Sequence, residues 1–85
     1  MKARSSPVEI AAPQQQKTKE DLTDREREIL TRIAEGLTNL KIAGDFGISV
    51  RTVEFHRANL MRKLGIRDHA GLIKFAIREG LIGLD

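Results

Sequence analysis

Eighty-five residues with no cysteine, tryptophan or tyrosine and only three phenylalanines exclude disulfide frameworks, thiolate catalysis and Cys-ligated zinc, and leave little from which to line an aromatic substrate pocket. Two isolated histidines do not make a metal site. No apolar run nears the roughly 18 residues of a membrane span, and no signal-type hydrophobic segment follows Met1, so the chain reads as soluble and cytoplasmic, without metal, cofactor or membrane partner. The net charge of +3 is unevenly spread: residues 1–20 carry +2, 21–48 carry −2, 49–67 carry +4 and 68–85 carry −1. That concentration of cations points either to a polyanionic partner at one face or to a solvated helix surface.

Residues 1–20 hold both prolines, Ser5-Ser6 and Gln14-Gln15-Gln16, with few and aperiodic apolar residues, and read as a disordered linker or tail. Such a segment suits a tether to an upstream domain, and equally the leader of a small stand-alone protein. The folded domain is expected over 21–85. Thr23-Asp24-Arg25-Glu26 is a capping box, with acid at the positive end of the helix dipole. Ile29, Leu30, Ile33 and Leu37 follow at helical spacing and Gly36 offers a left-handed stop, which predicts a first helix from about Asp24 to Glu35. Thr38 caps a short second helix bearing Ile42, Ala43 and Phe46 and ending at Gly47. Ser49 caps a third, whose inward stripe is Val53, His56, Leu60 and Leu64, ending at Gly65. A fourth is predicted from about Asp68 to Glu79. No stretch alternates as a strand does. The expected fold is therefore all-α, a compact four-helix domain.

Residues 39–58 carry the main signal. Ala43 is small enough for two helices to cross closely, Gly47 permits positive φ in a tight turn, and Ile48 and Val53 fill the wedge between the helices. The polar residues Arg51, Thr52, Glu54, Arg57 and Asn59 are left to the outer surface of the third helix. This is the pattern of a helix-turn-helix whose second helix enters the major groove of DNA. An ordinary helical hairpin is the alternative, and the coincidence of caps, spacing and the cationic stretch speaks against it.

Leu22-Thr23-Asp24-Arg25-Glu26-Arg27-Glu28-Ile29-Leu30, Ile33-Ala34-Glu35-Gly36-Leu37-Thr38-Asn39, Ile42-Ala43, Gly47-Ile48-Ser49 and the run from Thr52 to Gly65 together resemble the LuxR/FixJ/NarL-type DNA-binding domain over about residues 22–83. The resemblance implies a four-helix domain whose third helix reads DNA and whose fourth mediates dimerisation. It also implies the C-terminal output part of a transcription regulator, often behind a receiver domain. The chain departs from the family at Leu40 and Gly44-Asp45-Phe46, where more polar residues are common, and a glycine inside a helix costs about 1 kcal/mol against alanine. Glu54 and Ala58 stand where some members carry base-contacting lysines, so the target sequence does not carry over from those relatives.

Helix geometry turns the third helix, about residues 50–64, toward DNA along Arg51, Thr52, Glu54, Phe55, Ala58 and Arg62. Glu54 suits a cytosine amino group, and Phe55 and Ala58 suit a thymine methyl. Thr52 and Asn59 complete the expected base-reading set. Phe55 has an alternative place at the edge of the core. Arg51, Arg57 and Arg62, with Thr38, Asn39 and Lys41 at the start of the second helix, are expected at phosphates. His56 is expected as a packed, hydrogen-bonded histidine and His69 as a surface residue. No catalytic constellation is present, so no enzyme is expected. The fourth helix has more apolar residues than one stripe needs. With Leu72, Phe75 and Ala76 inward, Ala70, Ile73, Lys74 and Ile77 form an outward stripe for a weak or DNA-induced homodimer on an inverted repeat, unless the helix is buried on two sides. The expected partners are double-stranded DNA, a second copy of the chain and RNA polymerase.

Overall fold

Two capping boxes in succession open the folded part of the chain. In the computed structural model, which describes residues 17–83, Thr18 caps a single 3-10 turn, Lys19–Asp21, and its own N–H is bound by Asp21. Five residues later Thr23 Oγ1 accepts the Glu26 N–H while Glu26 Oε1 accepts the Thr23 N–H, which starts α1, Asp24–Ala34. Residues 1–16 of the expected linker lie outside the described residues. Its last two members, Lys19 and Glu20, belong to the 3-10 turn.

Three more helices follow: α2, Asn39–Phe46; α3, Val50–Leu64; and α4, His69–Arg78. The side chains of Thr38, Ser49 and Asp68 each accept the N–H three residues ahead, satisfying donors that a helix start leaves without partners. Gly47 and Gly65 close α2 and α3 in the left-handed region, at φ 67° and 68°. There Ile48 donates to the Ala43 carbonyl and Ile66 to that of Met61. A Cβ strains that backbone, so glycine suits both helix ends. The described residues contain no strand.

α1 packs against all three other helices, and α2 packs against α3. Ile29, Leu30 and Ile33 from α1 form one cluster with Leu22, Ile42, Ala43, Val53, Leu60, Leu72 and Phe75, and Ala76 of α4 is buried as well. Burying each large member contributes about 1.5–3 kcal/mol. Phe46 sits at the rim, where the guanidinium carbons of Arg25 and Arg32 lie 4.4 and 4.8 Å from its ring centroid. Two cation–π contacts thus hold the end of α2 to α1. Two residues of the expected inward stripe of α3 sit farther out than its spacing predicts. Leu64 is half-buried at the core edge, and His56 is half-buried with its ring edge-on to Phe55, 6.2 Å between centroids. The stripe is narrower than the heptad-like spacing suggests, because α3 faces the core chiefly through Val53 and Leu60.

Gly44 and Gly71 both lie inside helices, but a Cβ at Gly44 meets nothing within 4 Å. One at Gly71 comes 2.9 Å from Ile66 Cγ2 and 3.2 Å from Asp68 Oδ1, the atom that caps α4 by accepting the Gly71 N–H. We expect Gly44→Ala to stabilise the domain by about 1 kcal/mol, raising the melting temperature by about 4–8 °C. Gly71→Ala gains the same propensity and loses it to the displaced β-branched side chain and cap, so its melting temperature stays level or falls. Thermal melts followed by circular dichroism compare the two; equal increases would contradict the crowding at Gly71.

Candidate nucleic-acid interface

The cap that starts α3 also determines what its first turn can offer. Ser49 Oγ accepts the Thr52 N–H at 3.0 Å and shares a hydrogen bond with Thr52 Oγ1 at 2.9 Å. The Thr52 hydroxyl is therefore engaged at home, and the residue is half-buried.

Beyond the cap, helical periodicity separates two faces. Val53 and Leu60 are fully buried, whereas Arg51, Glu54, Phe55, Ala58 and Arg62 are exposed. Phe55 is 64% exposed, so the alternative of an edge-of-core phenylalanine does not hold. A large apolar ring in water, flanked by a carboxylate, a methyl group and two guanidinium groups, forms a surface with donors, acceptors and apolar contact in one helical strip. Asn59 is half-buried, and its Oδ1 accepts from Arg62. This pair occupies two groups expected to meet DNA separately, one at a base and the other at a phosphate. Arg57 is half-buried on the flank.

At the start of α2, Thr38 Oγ1 accepts the Lys41 N–H at 3.1 Å, and Asn39 is half-buried. The Lys41 ammonium lies 3.2 Å from Asp45. Such an exposed i,i+4 pair contributes well under 1 kcal/mol and opens readily when a phosphate competes. Leu40 beside it is 74% exposed. On α4, Leu72, Phe75 and Ala76 are buried as the sequence predicts. Ala70 and Lys74 are exposed, while Ile73 and Ile77 are half-buried, so the surplus stripe faces outward in part.

One pairing that positions α3 has no local signature. Glu26, already part of the α1 cap, is only 5% exposed, and its Oε1 accepts from Lys63 Nζ at 2.7 Å as well as from the Thr23 N–H at 2.9 Å. Lys63 lies in the last turn of α3, 37 residues away. It stands in the cationic stretch, yet its charge is spent inside the domain. Burial alone pushes the Glu26 carboxyl upward; the Lys63 bond, the Thr23 amide and the nearby ammonium charge outweigh it, leaving the carboxyl below its ordinary value of 4.5. Among the described residues no group of His, Cys, Asp or Glu is placed to hold a metal ion, and no helix is long and apolar enough to cross a membrane.

Residues 20–76, more than half of the chain, match the bacterial regulatory proteins of the luxR family. The chain is 49% identical over 61 residues to the transcriptional regulatory protein MctR of Rhizobium johnstonii, which covers 72% of this chain and 28% of that protein. It is 50% identical over 60 residues to the uncharacterized response regulatory protein YgeK of Escherichia coli, covering 71% and 41%. Against the transcriptional regulatory protein FixJ of Rhizobium meliloti it is 44% identical over 59 residues, covering 69% and 29%. The chain thus spans less than half the length of these curated relatives.

The Glu26 pairing makes stability depend on pH with a definite sign. Because the folded-state value lies below the unfolded one, the stabilisation is complete above about 4.5 and is lost as pH falls through the folded value. Glu26→Gln keeps a cap acceptor and removes the charge. We expect it to cost about 1–2 kcal/mol at neutral pH, the range for a charge-assisted bond reduced because Lys63 is 41% exposed. The gap to the unmodified chain should shrink toward zero as pH falls through the folded-state value of Glu26. Urea midpoints measured across pH check this; a gap independent of pH would show that the bond contributes no charge-dependent stability.

Proposed function

The chain belongs to the luxR family of bacterial regulatory proteins, as a helix-turn-helix DNA-binding domain, and on that premise we propose that it is the sequence-specific output domain of a transcription regulator with α3 in the major groove. The exposure of Phe55 beside Glu54 and Ala58 carries this reading. An apolar ring kept in water on a cationic helix suits a thymine methyl, and a neighbouring carboxylate suits a cytosine amino group. Thr52 contributes through its methyl group, and Asn59 through an amide released when Arg62 turns to the backbone. Arg51, Arg57 and Arg62 hold phosphates on the flanks of the groove, and Thr38, Asn39 and Lys41 hold another at the start of α2.

α4 supplies the second half of the function. Ala70, Ile73, Lys74 and Ile77 pair across a two-fold axis, which sets two copies of α3 on half-sites of an inverted repeat about 10–10.5 base pairs apart. One short helix buries little area, so the pair forms weakly in solution and firmly on DNA. Three features support a longer regulator, working in the cytoplasm under an upstream receiver or sensor domain: the greater length of the relatives, their names as response or transcriptional regulatory proteins, and the Gln/Pro-containing linker read over residues 1–20. RNA polymerase would meet the surfaces that DNA leaves free.

Titrations separate the two kinds of contact. We expect Arg51→Ala and Arg57→Ala to weaken all duplexes alike, each lowering the slope of log K against log salt by about 0.9. Glu54→Gln and Phe55→Ala should instead alter preference at one or two base pairs by about 1–3 kcal/mol. Unchanged salt slopes in both arginine variants would move DNA to another face.

The pairing of α4 is tested by Ile73→Asp. We expect unchanged circular dichroism, normal binding to a single half-site and loss of cooperative binding to the full site. An unfolded Ile73→Asp domain would mean that this face belongs to the core.

A further inference from the structure

The first described residues are fastened to the last helix through backbone atoms. The Lys19 N–H donates to Glu79 Oε1 at 2.9 Å, 60 residues away in sequence. Arg78 donates to the Lys17 carbonyl, and Arg27 of α1 donates to the Lys19 carbonyl at 3.1 Å. The far ends of these bonds are held in turn. The Glu79 carboxylate is 14% exposed and bound by Arg78 Nε at 3.2 Å, and the Arg78 guanidinium carbon lies 5.0 Å from the ring centroid of buried Phe75. Glu79 is also the residue that caps α4, its N–H donating to Phe75 and Ile77 carbonyls.

The partners on the N-terminal side are carbonyls and an amide, not apolar side chains, so the segment is held by direction and can be released without opening the core. We propose that Lys17–Asp21 is a latch that couples the entering chain to the C-terminal turn of α4: engaged, it orders the turn that carries Ile77; released, it lets that turn fray. Whatever pulls on the chain ahead of residue 17 then acts on the α4 surface, a use that rests on the pairing proposed above, whereas the latch itself does not.

Two substitutions break the same bond from opposite sides in the full 85-residue chain. Glu79→Ala removes the acceptor. Lys19→Pro removes the donor at the first position of a turn, after an extended Thr18 (φ −129°, ψ 176°), a place where proline is tolerated. Amide exchange followed by NMR reads the latch. In Glu79→Ala the Lys19 amide should exchange about ten-fold faster, a factor in keeping with one lost polar bond. In Lys19→Pro the Gly80 and Leu81 amides, which bond to Ile77 and Ala76 carbonyls, should exchange several-fold faster, while Ile29 and Leu60 keep their protection in both. Binding to an inverted repeat chosen from a random duplex pool reads the coupling. Each variant should lose about two- to ten-fold in cooperativity with half-site affinity unchanged, and the double variant should lose no more than either alone.

An unprotected Lys19 amide in the unmodified chain, or exchange unaltered by Glu79→Ala, would overturn the latch. Altered exchange with cooperativity intact, or additive losses in the double variant, would overturn the coupling and leave the DNA-binding reading standing. An unmodified chain that binds the full site without cooperativity would overturn the α4 pairing, and with it the regulatory use of a latch still visible in the exchange data.

Discussion

A single carboxylate oxygen, Glu26 Oε1, fixes the frame on which the DNA-facing surface is hung. It accepts the Thr23 amide and the Lys63 ammonium together, so the residue that starts α1 also ties down the end of α3. A carboxylate this deeply covered is costly to bury unless its lone pairs are filled, and here the filling groups come from two helices. The consequence is geometric: with its C-terminal turn held by the ion pair and Val53 and Leu60 packed against α1, α3 has little freedom to roll about its own axis. The strip from Arg51 to Arg62 therefore points outward in a fixed direction before any partner arrives.

That rigidity divides labour among cations that look alike in the sequence. Lys63 is spent on internal orientation, Lys41 rests on Asp45, Arg25 and Arg32 stack on Phe46, and Arg27 and Arg78 hold the entering backbone. Arg51 stands exposed on the outer face, and Arg62 leans on Asn59. A count of positive charge along the chain overstates how much of it is available to phosphates, because Arg25, Arg27, Arg32 and Arg78 hold other groups of the domain.

Caps, helix ends and buried stripes were legible in the sequence because each is a rule of three or four residues. Thr23 with Glu26, Thr38 and Ser49, and the closing glycines 47 and 65, need no knowledge of the tertiary fold, and the inward set Leu72, Phe75 and Ala76 follows from period alone. Spacing puts His56 and Leu64 deeper than they lie, because periodicity gives a direction and not a depth, which depends on where neighbouring helices stop. Phe55 could not be assigned from spacing, since an apolar residue next to the buried line fits either side; the structure puts it in water. Glu26 with Lys63, Lys19 with Glu79, and Phe46 between Arg25 and Arg32 were not legible at all. Each joins side chains or amides from separate helices, and only the folded backbone brings them within reach.

Leu40 and Phe55, at 74% and 64% exposure, keep two large apolar side chains hydrated in the free domain. Water around such groups raises the heat capacity of the unbound state, and its release on contact lowers it. A domain that docks through both residues therefore associates with a negative heat-capacity change superimposed on the release of counterions. Its binding enthalpy grows more favourable on warming, and a polar residue in place of Leu40 makes that heat-capacity change smaller.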